Sequence, residues 1–138
     1  MGFKLKSKGE IFGINEELSE FGRPVFEKKL EGGVIAEANR DGTTFIDSKV
    51  KGSERKEAIV HENIHHEQMQ QGRLNYDDNN VYWKQSTRSP MKTFNREVME
   101  EGAKTNAWEA EAYHESDKVK KWKHNLKLKI TFKKIFLV

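Results

Sequence analysis

At 138 residues, with 35% hydrophobic and 34% charged residues, the chain suits one domain with a modest core and a highly charged surface. It has no cysteine, which excludes disulfides and thiolate ligands, so a metal would have to be held by His, Asp or Glu. No apolar run approaches bilayer length, so no transmembrane segment is expected.

The first residues, "MGFKLKSKGEIFGIN", contain no continuous apolar segment of the signal-peptide kind. Lys6 stands where a myristoylation signal wants Ser or Thr. Location is left unassigned between the cytoplasm and a virion. Short strands and turns are expected over the first 50 residues. "FKLK" and "EIFGI" flank "SKG" as a hairpin, and Pro24 in "RPVFEKKL" marks a strand start or an edge. "GGVIAEA" and "TTFID" form a second hairpin around "NRDG", whose Asn, Asp and Gly favour turns.

A helix is predicted from Glu54 to Gln71, capped by Ser53 and stopped by Gly72. Ala58, Ile59, Val60, Ile64 and Met69 spread round its circumference, which predicts burial. Beyond it, "RLNYDDNNVYWKQSTRSPMK" reads as broken and polar, with one short strand at 81–84, and "FNREVMEEGAK" as a short helix. "TNAWEAEAYHESDKVKKW" predicts a second long helix capped by Thr105 or Asn106. The final "LKLKITFKKIFLV" alternates apolar residues with lysine and reads as a strand or extended arm. Residues 118–138 carry eight lysines and no acid, leaving 17 basic and 22 acidic groups in the remaining 117. Such an arm suits an anionic partner: a protein assembly, nucleic acid, membrane or cell-wall polymer. The division expected is a domain over 1–117 and a basic arm over 118–138.

The chemistry concentrates in "HENIHHEQ", where His61-Glu62-Asn63-Ile64-His65 spells H-E-x-x-H. On a helix, positions i and i+4 lie about 40° apart and one turn apart in height, so both imidazoles can grip one zinc ion. Glu62, about 100° round from His61, can reach a water on the metal. His66 points about 140° away from His61 and reads as a surface or second-layer histidine. A third ligand is needed from another element. "AWEAEAYH" offers Glu109, Glu111 and His114; the two glutamates are about 200° apart, so only one of them can face the metal. The apolar stripe Trp108, Ala112, Val119, Trp122 places Glu111 slightly nearer the core, and periodicity alone leaves the choice open.

"HENIHHEQ" followed by "WEAEAY" resembles small H-E-x-x-H-x-x-Q proteins of phages and bacteria, which look like miniature gluzincin metallopeptidases. The resemblance covers roughly residues 43–113. It implies a zincin-like domain with an active-site helix and a second, Glu-bearing helix; with the N-terminal strands and hairpins read above packed on the active-site helix, the expected fold class is α+β. It implies Zn²⁺ held by His61, His65 and Glu109, with Tyr113 standing where gluzincins have an Asp that orients a ligating histidine. The implied activity is hydrolysis of a peptide or a peptidoglycan cross-link by zinc-activated water. Glu62 would serve as general base, and Tyr113, His114, Tyr82 or Tyr76 as oxyanion donor. An edge strand, from "VIAEAN" or "TTFID", would receive an extended substrate.

Two other readings fit the same residues. A gluzincin-like fold can serve as a non-enzymatic structural or interaction module of a larger assembly such as a phage particle. The pairs Glu62/His65 and Glu111/His114 also match the E-x-x-H of di-iron bundles, which would need two further long Glu-bearing helices.

Overall fold

The computed structural model describes residues 16–18 and 21–136, with the side chains of 21–125. The hairpin expected from "FKLK" and "EIFGI" lies outside the described residues.

Four strands, β1 (Glu16–Leu18), β2 (Pro24–Lys28), β3 (Ala36–Ala38) and β4 (Thr44–Asp47), form one sheet in the order β1-β2-β4-β3. Pro24 opens β2, where its missing N–H costs little. The "NRDG" turn makes β3 and β4 an antiparallel hairpin, with Gly42 at φ +86° where a side chain would be strained. β2 and β4 run parallel, so β4 is interior and β3 is the free edge. Of the two edge candidates, "VIAEAN" supplies the edge and "TTFID" the interior strand.

Asp47 closes β4 by accepting the N–H groups of Leu30 and Lys49, each at 2.8 Å. Those hydrogen bonds hold its carboxyl below the usual range. The chain then enters α1 (Gly52–Gln70). This helix starts slightly earlier than expected, with Lys51 at the cap and no side-chain cap bond, so Ser53 is not the cap. Gly72, at φ +74°, ends it, its N–H bonding Met69 O at 3.0 Å.

Residues 73–95 form a second, three-stranded antiparallel sheet: β5 (Leu74–Tyr76), β6 (Asn80–Trp83) and β7 (Lys92–Asn95), in that order. Only β6 was expected. "FNREVMEEGAK" supplies the end of β7 and turns in place of the expected short helix. Gly102, at positive φ, interrupts that segment.

α2 runs from Ala107 to Phe136, directly after Asn106. It passes unbroken through 117 and 118, and residues 126–136 are helical rather than a strand or extended arm. Lys and Leu are good helix formers, and extending an existing helix avoids the cost of nucleation, which overrides the local alternation.

The core has three parts. Val25, Ile46, Val50, Ala58 and Ile59 pack the larger sheet on α1. Leu74, Val81, Trp83 and Trp108 pack the smaller sheet on α2, and Val60, Ile64 and Ala112 join the two helices. α1 is therefore covered on several sides, as its scattered apolar residues predict. The molecule is α+β, and no helix among the described residues is long and apolar enough to cross a membrane.

Candidate metal centre

The helical spacing of His61 and His65 sets their rings on one side of α1, with their Nε2 atoms 3.1 Å apart. Packing of Ala112 against Val60 and Ile64 fixes α2 beside them and turns Glu109 inward. Glu109 Oε2 lies 2.9 Å from His61 Nε2, and Oε1 lies 3.3 Å from His65 Nε2. A tetrahedral zinc site with bonds of 2.0–2.1 Å has ligand–ligand edges of about 3.3 Å. The nitrogen pair is close to that value, each nitrogen faces a different Glu109 oxygen, and one ligand atom from each residue lies within 4.8 Å of the other two; the nitrogen and oxygen donors suit such an ion. His61, His65 and Glu109 thus form a group that can hold a metal ion.

The same proximity sets the protonation of the cluster. Burial pushes the Glu109 carboxyl up, but hydrogen bonds to His61 and His65, with their charge, outweigh it and hold it at about 2. Burial pushes His65 down, while its hydrogen bond to Glu109 and the charges of Glu62 and Glu109 prevail and raise it. Glu62 is buried beside the cluster, and that burial raises its carboxyl; the two histidines and the Ala38 N–H oppose the rise. A carboxylate destabilised in its charged form is a better proton acceptor than one in water.

These residues open on a cleft of about 1020 Å³, bounded on one side by Gly32 to Asn39, which includes all of β3. Asn39 N bonds Thr43 O and Asp47 N bonds Ile35 O, so the odd-numbered residues pair with β4. Ala36 and Ala38 therefore direct their backbone groups to the free edge. Ala38 O accepts the Tyr76 hydroxyl at 3.0 Å, and the Ala38 N–H favours the Glu62 carboxylate, which leaves Ala36 as the pairing position on β3.

Of the four candidate oxyanion donors, Tyr76 commits its hydroxyl to Ala38 O and Tyr82 donates to Asp77 at 2.7 Å. His114 is exposed and does not line the cleft. Tyr113 does line it, with its ring 4.5 Å from that of His61. Burial, then the charges of Glu109 and Glu62, raise the Tyr113 phenol, so it remains a protonated donor.

The remaining residues of the motif lie elsewhere. Glu111 is 2.6 Å from Arg73 Nη2 and accepts from Gln68 Nε2 at 2.6 Å, so Glu111 and His114 do not join the metal group. His66 is buried in the second layer, not on the surface, its Nε2 3.0 Å from Thr44 Oγ1 on β4. Gln68 and Arg73 went unassigned in the sequence. The available signal for Gln68 was its place as the last residue of the H-E-x-x-H-x-x-Q pattern, three positions after a ligand on a buried helix; Arg73 had none, because apart from Gln71 its partners Lys84, Gln85 and Glu111 lie at least 11 positions away.

No protein-family model, curated protein or solved structure matches the chain.

Proposed function

We propose that the protein is a zinc-dependent, zincin-like metallopeptidase that cleaves a peptide or a peptidoglycan cross-link. One observation carries this reading: His61, His65 and Glu109 bring one ligand atom each within 4.8 Å of the others, beside a buried Glu62, in an open cleft with a free strand edge. His61, His65 and Glu109 hold the ion. When bound, zinc supplies a Lewis acid that activates water and polarises a carbonyl. An extended substrate pairs with the outward N–H and C=O of Ala36. Glu62 takes the proton of the attacking water and delivers it to the leaving amine. Tyr113 donates to the carbonyl oxygen as charge develops on it.

Replacing Glu62 by Gln tests the reading. The variant should keep zinc and lose cleavage of a peptide library and of purified cell wall. Absence of cleavage by the wild-type protein on both would favour a structural role, in a phage particle for example, with the metal retained. We further propose that the lysines of 118–138, continuous with α2 as far as Phe136, contact an anionic partner. Binding that does not weaken steeply with salt would count against it.

A further inference from the structure

Gln68 is 2% exposed, and its amide fits its surroundings in only one orientation. On one side stand two acceptors, Trp108 O at 3.1 Å and Glu111 Oε2 at 2.6 Å, which take the two N–H groups of the amide. On the other side His65 Nδ1 lies 2.9 Å from Gln68 Oε1. Reversing the amide would set its oxygen against a carbonyl and a carboxylate, with water excluded. The amide oxygen only accepts, so His65 Nδ1 must carry the proton. In the neutral ring the lone pair is then on Nε2, the atom facing His61 and Glu109.

The chain of bonds continues beyond Gln68. Glu111 Oε1 accepts from Arg73 Nη2 at 2.6 Å. The Arg73 guanidinium is anchored in turn on Lys84 O and Gln85 O and lies 4.7 Å over the Trp83 ring. Its charge offsets that of Glu111, and its planar fork reaches several acceptors at once. His61 has no equivalent: among the described residues its buried Nδ1 has no hydrogen-bond partner, and its ring rests between those of His65 and Tyr113.

We propose that Gln68, Glu111 and Arg73 are positioning residues that fix His65 in its Nδ1–H tautomer and hold the Nε2 lone pair on the metal position. The proposal rests on the metal reading above but concerns residues that touch neither the ion nor the substrate. It makes His65 the anchored ligand and ties its orientation to the smaller sheet through Arg73. Partners of this kind are worth about 10–100-fold in metal affinity.

Two measurements test it. Long-range ¹H–¹⁵N NMR of the zinc-free protein at alkaline pH should find His65 as the Nδ1–H tautomer, and in Gln68→Met that preference should disappear. Chelator competition should then give zinc affinities about 10–100-fold weaker for Gln68→Met and for Arg73→Met, with an altered visible spectrum for bound cobalt. Arg73→Lys, which keeps the charge, should recover part of the loss and supplies a folded variant if Gln68→Met fails to fold. An Nε2–H tautomer in the wild type, or variants binding zinc within twofold of it, would overturn the proposal. A fixed tautomer that the variants lose, in a wild-type protein that takes up no zinc, would support the relay and refute the metal reading alone.

Discussion

Glu109 Oε2 sits 2.9 Å from His61 Nε2 across the α1–α2 contact, although the two residues are 48 positions apart in the chain. That contact brings a carboxylate from one helix to the nitrogen pair of another. Burial works against the charged forms, but hydrogen bonding between the histidines and Glu109 and their opposite charges outweigh it, which raises His65 and depresses Glu109. Metal and proton therefore compete for one place, and zinc affinity should rise with pH until it passes the raised His65 value.

Each of His61→Ala, His65→Ala and Glu109→Ala should weaken zinc binding by on the order of 100-fold or more. Zinc at about 100 times its dissociation constant should stabilise the wild type by about 2.7 kcal/mol. For a domain of this size that corresponds to a rise in Tm on the order of 10 °C, abolished by chelator. Calorimetry with and without zinc checks both statements, and a Tm indifferent to zinc would contradict them.

Tyr113→Phe removes the hydroxyl but keeps the ring against His61. Zinc affinity should stay within a few-fold, while kcat falls by about 100- to 1000-fold with little change in KM, the loss typical of a missing oxyanion donor. A change confined to KM would instead assign Tyr113 to substrate binding.

Ala36→Pro exploits the sheet edge. The Ala36 N–H points away from β4, so proline there removes no sheet hydrogen bond. The variant should fold with a Tm close to wild type and bind zinc normally. Its KM for an extended peptide should rise by on the order of 10-fold, which steady-state kinetics would detect. An unchanged KM would show that the substrate does not pair with β3.

His66 is held at about 4 by burial, then by the charges of Arg23 and His65. Its folded value lies below the ordinary 6.5, so the unfolded chain binds a proton first as pH falls. Stability from this group is complete above pH 6.5 and declines between about 6.5 and 4, by up to about 3 kcal/mol. Glu62, raised by burial, works in the opposite direction at the acid end. The measurement is therefore a comparison, in chelator, of denaturation profiles for wild type and His66→Gln. The variant should be less stable at neutral pH yet lose less stability on going from pH 7 to 5.

Much of the site was legible because it depends on local spacing. His61 and His65 share a face by helical geometry alone, and the "NRDG" turn announces the β3–β4 hairpin. Periodicity could not decide between Glu109 and Glu111, because both have polar partners on opposite sides of α2: the histidine pair for one, Gln68 and Arg73 for the other. The smaller sheet was largely missed because β5 to β7 are only three or four residues long. Their apolar members, Leu74, Val81 and Trp83, find their shared partner in Trp108, far along the chain. The helical end of α2 was obscured by an apolar–lysine alternation that a continuing helix overrides.

The most direct test of the central claim is an anomalous difference map at the zinc edge from crystals of the wild-type protein grown with zinc. The account predicts one peak per chain, 2.0–2.2 Å from His61 Nε2, His65 Nε2 and a Glu109 carboxylate oxygen. No peak at that position, or an ion bound through Glu111 instead of Glu109, would contradict it.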